Sequence, residues 1–145
     1  MRIHHTNRNE LAALTSDSHR PWLAAACNRL LLLPDYPRSR ILFAVDGGLT
    51  RAVLGLELKW GAEGRLMCAT IGVLEEDPDH DNRGVGARLV RFAEDIAHIN
   101  GCERLCAAPG LERWNGGRCR LAFSRRIIGR GWPKETTPRT QRGCA

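Results

Sequence analysis

No hydrophobic stretch in this 145-residue sequence approaches the length needed to cross a bilayer, which is about 18–20 residues. The four leucines at 30–33 end at Pro34. The first ten residues contain no apolar segment typical of a signal peptide. We therefore expect a cytoplasmic protein with no membrane partner.

The cysteines lack the spacing of known metal sites, because no pair reads CxxC and no histidine follows at zinc-finger distance. We therefore predict no metal site. A disulfide framework is not expected in a reducing compartment. Cys68 and Cys106 lie inside apolar runs and are predicted to be small buried hydrophobic residues.

The composition is ordinary, with 43% hydrophobic and 26% charged residues, which predicts a globular domain. The length suits one domain with its own core, and we assign residues 1–145 to it. Within the net charge of +6, residues 104–145 carry ten basic and two acidic groups. Such a segment can bind nucleic acid. Without interleaved aromatics or a known motif, a solvated arginine-rich surface is the preferred interpretation.

Apolar periodicity predicts a mixed α/β layer fold. The predicted strands are 1–6, 40–45, 51–60, 65–74, 103–107 and 132–137, and the predicted helices are one starting at Asp17–Pro21, one over 84–99 and one over 118–128. Hairpin turns are predicted at Asp46-Gly47-Gly48 and at 61–64.

The helix over 84–99 has the clearest pattern, because its apolar residues recur at spacings of four, three and four. These residues are Val85, Leu89, Phe92 and Ile96. The acidic stretch 75–81 predicts a turn between this helix and the long apolar strand before it.

The segment Arg83-Gly84-Val85-Gly86 stands where this turn enters the helix. Glycines let the backbone approach a ligand closely, and the first helical turn has unpaired N–H groups at a positive dipole end. This combination predicts a phosphate or diphosphate site, to which Arg88 would add charge. A dinucleotide fingerprint would need glycine at Leu89, and a Walker loop would need Gly-Lys-Ser/Thr, so neither fits. A plain tight turn with no ligand is the alternative.

The run from Asp81 to Gly86 resembles motif A of the GNAT N-acetyltransferases, Arg/Gln-x-x-Gly-x-Gly/Ala. The wider setting, with Val73 and Pro78 before the glycines, is also similar, as are residues 100–105. The likeness covers residues 40–107 best. It implies a GNAT-like fold, a central mixed sheet flanked by helices, and an acetyl-CoA-dependent N-acetyltransferase of a small-molecule amine.

The resemblance also implies a cofactor site. The residues it assigns to the coenzyme A diphosphate are Arg83, Gly84, Val85, Gly86, Ala87 and Arg88. Those it assigns to the pantetheine arm and the thioester carbonyl are Ile71, Gly72, Val73 and Leu74. Asn115, taken as the start of the last helix, is expected to touch the pantetheine.

Two departures from the family pattern bear on activity. The first motif position is Asp81, whose carboxylate would repel a diphosphate. The family often has a tyrosine on the last helix that protonates the departing thiolate, and Ser124 stands nearest that position here. A thiol with a pKa of about 8.5 can leave without that donor, so the loss slows the reaction without abolishing it.

Acetyl transfer to an amine needs a neutral nucleophile, and therefore a general base. Glu75 and Glu76 directly follow the predicted cofactor strand and are the candidates. The same acidic stretch could attract a cationic amine. The alternatives are a catalytically weakened acyl-CoA-binding or partner-binding protein and, second, a basic nucleic-acid-binding domain. The sequence leaves the oligomeric state open; a homodimer is one option, because exposed strand edges often pair.

Overall fold

The structure is a computed structural model that describes residues 1–15, 19–35, 37–60, 66–80, 84–102, 104–108, 111, 115–116, 119–120 and 124–126. The helices are α1 (Arg8–Thr15), α2 (Pro21–Leu30) and α3 (Val85–Ile99). The strands are β1 (Arg2–His5), β2 (Ser39–Asp46), β3 (Leu49–Trp60), β4 (Leu66–Glu76), β5 (Arg104–Ala107), β6 (Asn115–Gly116), β7 (Cys119–Arg120) and β8 (Ser124–Arg126).

Six of the strands form one mixed sheet in the order β1-β2-β3-β4-β5-β8. Neighbouring strands run antiparallel except β4 and β5, which are parallel. A parallel pair needs a crossover connection, and α3 supplies it. This arrangement confirms the predicted mixed sheet with flanking helices.

The sheet is covered on both faces, which explains why its strands read as apolar runs rather than alternating patterns. Helix α3 packs Leu89 and Val90 on one face against Leu54 and Leu74. Helices α1 and α2 cover the other face in a second cluster, which contains Val53. Because successive strand residues point to opposite faces, both Val53 and its neighbour Leu54 are fully buried.

Most predicted elements are present, with shifted ends. The predicted turn at 46–48 is confirmed, because Gly47 and Gly48 have φ of 61° and 78°, the left-handed values that a tight hairpin favours. The predicted turn at 61–64 and strand at 132–137 lie outside the described residues. Helix α1 was not predicted; Leu11 is its one fully enclosed side chain, which leaves little periodicity to detect.

Two predictions of secondary structure are wrong. The acidic stretch does not begin the turn, because β4 continues through Glu75 and Glu76, where pairing with β3 outweighs the low strand preference of glutamate. The helix over 118–128 is also wrong, since the described parts of that range are the strands β7 and β8. Strand β8 is held by its ladder to β5.

The cysteine predictions were partly right. Cys68 is a buried free thiol, as are Cys27 and Cys102. Burial raises the pKa of the Cys27 and Cys102 thiols to about 11, so both stay protonated and unreactive at neutral pH. Cys106 is buried beside Cys68, as predicted, but it is disulfide-bonded, whereas no disulfide was expected.

At Gly55, helix α2 and the residues after it pack closely against the sheet. A Cβ at this position would lie 2.6 Å from Cδ2 of Leu30 and 2.6 Å from Cδ1 of Leu33. At Gly72, on the neighbouring strand, the nearest atom to an added Cβ would be Cδ2 of Leu33 at 3.4 Å, an ordinary contact.

We therefore expect Gly55→Ala to lower the free energy of unfolding by about 1–3 kcal/mol through overpacking. Gly72→Ala is the matched control and should change it by clearly less. Urea denaturation of both variants measures the difference, and equal effects would contradict the packing described for Gly55.

Candidate functional site

Strand β4 extends beyond the end of β5, which stops at Ala107. They pair only from Cys68 with Arg104 to Ile71 with Ala107, and the last contact is the Ala108 N–H donating to the Ile71 carbonyl at 2.9 Å. Beyond Ile71, β4 continues to Glu76 and stays paired with β3 on its other side. Within the described residues, this part of β4 has no strand neighbour on the β5 side, so its backbone can pair with an extended ligand.

Strand β4 contains a β-bulge at the point where its pairing with β5 ends. Gly55 of β3 pairs with Val73 and the next residue, Leu56, pairs with Ile71. Gly72 is thus the extra residue on β4. A bulge bends its strand and redirects the residues after it, and here it directly follows the last pair with β5. Ile71, Gly72, Val73 and Leu74 were predicted to form the pantetheine site. Ile71 is the last residue paired with β5, and the other three lie beyond it, at the opening left where β5 ends.

Helix α3 starts close to the part of β4 that extends beyond β5. Gly84 is its N-terminal capping residue, with φ 74° and ψ 12° and no side-chain cap. This left-handed conformation favours glycine. An added Cβ would meet nothing within 4 Å among the described residues. The Arg88 N–H already donates to the Gly84 carbonyl at 3.0 Å, so the amides before it are the ones with no partner inside the helix.

The Glu76 carboxylate is hydrogen-bonded to one of these amides. Its Oε1 accepts a hydrogen bond from the Gly86 N–H at 2.8 Å. Burial raises the pKa of the Glu76 carboxyl above its usual value, and the bond from Gly86 only partly offsets this effect. A carboxylate therefore already lies at the helix end where the sequence predicts a diphosphate.

Glu75 points to the opposite face of β4. Its carboxylate forms an ion pair with Arg29 of helix α2, on the face that carries Val73. The two residues predicted as general bases are therefore on different sides of the sheet and in different electrostatic settings.

Asp77 is a buried anchor that the sequence analysis did not identify. Its Oδ2 accepts from Arg20 and Arg51 at 3.0 Å each, and its Oδ1 accepts from the Asp79 N–H at 3.0 Å. Burial alone would raise the pKa of this carboxyl, but these hydrogen bonds outweigh it and lower the pKa. Glu75, Glu76 and Asp77 thus each have a specific partner among the described residues.

The remaining predicted site residues have mixed outcomes. Val85 and Gly86 are buried at the start of α3, Ala87 is half-buried and Arg88 is exposed. Arg83 and Asp81 lie outside the described residues.

Asn115 and Ser124 were expected on a last helix. Instead, Asn115 is in β6, paired with Arg120 of β7, and Ser124 is in β8, paired with Cys106 of β5.

Two further findings concern the described residues alone. No helix there is long and apolar enough to cross a membrane. No group of three or more His, Cys, Asp and Glu side chains is placed to hold a metal ion.

Comparison with known proteins assigns the family. The sequence pattern of the "Acetyltransferase (GNAT) family" matches residues 8–122. The chain therefore belongs to the GNAT acetyltransferases. No curated protein sequence matches it.

Solved structures share the fold at low identity. A ribosomal-protein-alanine N-acetyltransferase from Brucella melitensis biovar Abortus 2308 is 16% identical, with a TM-score of 0.56 over 78% of this chain and 84% of its own. An aminoglycoside 6′-N-acetyltransferase from Acinetobacter haemolyticus is 20% identical, with a TM-score of 0.54 over 78% and 82%. An aminoglycoside N-acetyltransferase in complex with CoA is 13% identical, with a TM-score of 0.54 over 75% and 76%.

The Asp77 anchor allows a stability prediction. Asp77→Asn removes the charge that two arginines face, which should lower the free energy of unfolding at neutral pH by about 3 kcal/mol. Because the folded pKa is lowered, this stabilisation exists above the ordinary aspartate pKa of about 3.9 and is lost as the pH falls through the folded value.

Urea denaturation from pH 7 to pH 3 tests this prediction. The gap between wild type and variant should narrow only in acid. Asp79→Asn, which changes an exposed carboxylate in the same segment, should cause little loss. A gap that does not depend on pH would contradict the role given to the Asp77 charge.

Proposed function

We propose that this chain, as one domain over residues 1–145, is a cytoplasmic N-acetyltransferase. It moves the acetyl group of acetyl-CoA to a primary amine of a small molecule by direct attack in a ternary complex. The observation that carries the proposal is the unpaired edge of β4 after Ile71, which lies beside the N-terminus of α3. A neighbour in the same family with the same fold has been crystallised with CoA.

The residues around this opening suit coenzyme A. The β4 backbone over Gly72, Val73 and Leu74 would pair with the amide groups of the pantetheine arm. The amides of Val85, Gly86 and Ala87 would face the diphosphate, where the helix dipole favours negative charge. Arg83 and the exposed Arg88 would add positive charge. When bound, the cofactor supplies an acyl thioester carbonyl that an amine can attack.

The acceptor must reach this carbonyl as a neutral amine, although an alkylamine has a pKa of about 10.4. Of the two glutamates, Glu75 is better placed to act as base through water, because Glu76 is bonded to α3. The Glu75 side chain is 36% exposed, whereas Asp77 beside it is buried. Arg29 pairs with the Glu75 carboxylate.

The departing thiolate needs no strong acid, since the pKa of a thiol is about 8.5. Water can supply the proton, and Ser124 remains the predicted side-chain donor. An amine of the aminoglycoside class is the first acceptor to test, because aminoglycosides are acceptors of two neighbours with this fold.

A catalytically weakened acyl-CoA-binding protein is the second candidate. The hydrogen bond between Glu76 and the Gly86 amide favours it, because this carboxylate competes with the diphosphate. Release of the CoA thiol across a panel of primary amines separates the two. Cofactor binding without thiol release on any amine would support the second candidate.

The phosphate site can be tested at Gly84. We expect Gly84→Glu to abolish CoA binding in calorimetry, because it adds an anion at the helix start in open space. Gly84→Gln is the matched control, since it carries the same left-handed backbone strain without the charge. It should retain most of the affinity, and equal binding by both variants would mean that the diphosphate lies elsewhere.

A further inference from the structure

We propose that Glu76 sets the affinity of the chain for coenzyme A by competing with the diphosphate for the Gly86 amide. This inference rests on the proposed function. It assigns Glu76 to control of the cofactor site rather than to catalysis.

The position of Glu76 follows from strand geometry. It lies two residues after Leu74, so its side chain points to the same face of β4, and Leu74 packs in the cluster that contains α3. Since β4 continues to Glu76, the last side chain of the strand arrives at the first turn of the helix. The 2.8 Å bond to the Gly86 N–H is the result.

The charge of Glu76 makes it a competitor of a bound diphosphate at the Gly86 amide. The start of a helix attracts one anion through its dipole and its free amides, and in this structure the carboxylate of Glu76 takes that position. A second anion would meet like-charge repulsion, which is stronger where water is partly excluded. The Gly86 amide has one hydrogen to donate, so binding of a diphosphate there requires the carboxylate to move away.

The contact differs from those of the two neighbouring carboxylates. Glu75 and Asp77 each face at least one arginine, so removing their charge breaks an ion pair. For Glu76, the structure shows a bond to an uncharged amide. Glutamine has the same shape and can accept the same hydrogen bond, so Glu76→Gln removes the charge and keeps the contact.

Calorimetry with two ligands tests the proposal. We expect Glu76→Gln to bind CoA at least about fivefold more tightly than wild type, the lower end of typical coupling between sites. Pantetheine, which has no diphosphate, should bind both proteins equally. A purely structural role of Glu76 would not produce this difference between the two ligands.

Two further variants complete the test. Glu76→Ala frees the Gly86 amide entirely and should also tighten CoA binding. Glu10→Gln removes one negative charge from an exposed position on α1, on the opposite face of the sheet. It should leave CoA affinity unchanged, which controls for the net charge of the protein.

The outcomes separate the two levels of the proposal. If wild type binds CoA as tightly as Glu76→Gln and Glu76→Ala do, the proposed competition is wrong, but the proposed cofactor site stands. CoA binding that appears only in the Glu76 variants would support it strongly. Failure of wild type and both variants to bind CoA would overturn the proposed function and this inference together.

Discussion

The end of β5 at Ala107, which leaves β4 without a described neighbour on that side after Ile71, is the constraint on which the rest of the candidate site depends. A parallel pair inside a sheet normally satisfies the backbone of both strands, and here the pairing stops while β4 continues to Glu76. The antiparallel ladder to β3, with its bulge at Gly72, keeps the part of β4 beyond β5 in place. The crossover helix α3 then begins next to this edge, so a backbone edge and a helix dipole meet at one opening.

Three consecutive carboxylates at the end of β4 fix the surroundings of this opening. Strand alternation sends Glu75 toward α2 and Glu76 toward α3, while Asp77 joins the start of α2 and β3 through Arg20 and Arg51. Asp77 thereby connects helix α2 and strand β3 to the segment that leads into the glycine turn. Only Glu76 lies where the proposed ligand would bind, which separates its role from that of its neighbours.

The sheet and helix α3 were predictable because their signals are local. Residues 40–45 and 51–60 form apolar runs, and Val85, Leu89 and Ile96 define one helical face that is buried in the structure. The Asp77 anchor and the Glu76 contact were not predictable, since the partners are 57, 26 and 10 residues away along the chain. The prediction of a last helix containing Asn115 and Ser124 was wrong. Strand pairing between β6 and β7, and between β8 and β5, outweighed the local helix preference of these residues. The resemblance to the GNAT family was visible in the sequence because the glycine turn is a short-range pattern.

Amide hydrogen exchange with and without coenzyme A tests the central claim most directly, because it reports on the β4 edge and the α3 start together. The account predicts new protection at Gly72–Leu74 and at Val85–Ala87 when the cofactor is added, with little change in β1 and β2. Protection confined to other parts of the chain, or none at saturating coenzyme A, would contradict it.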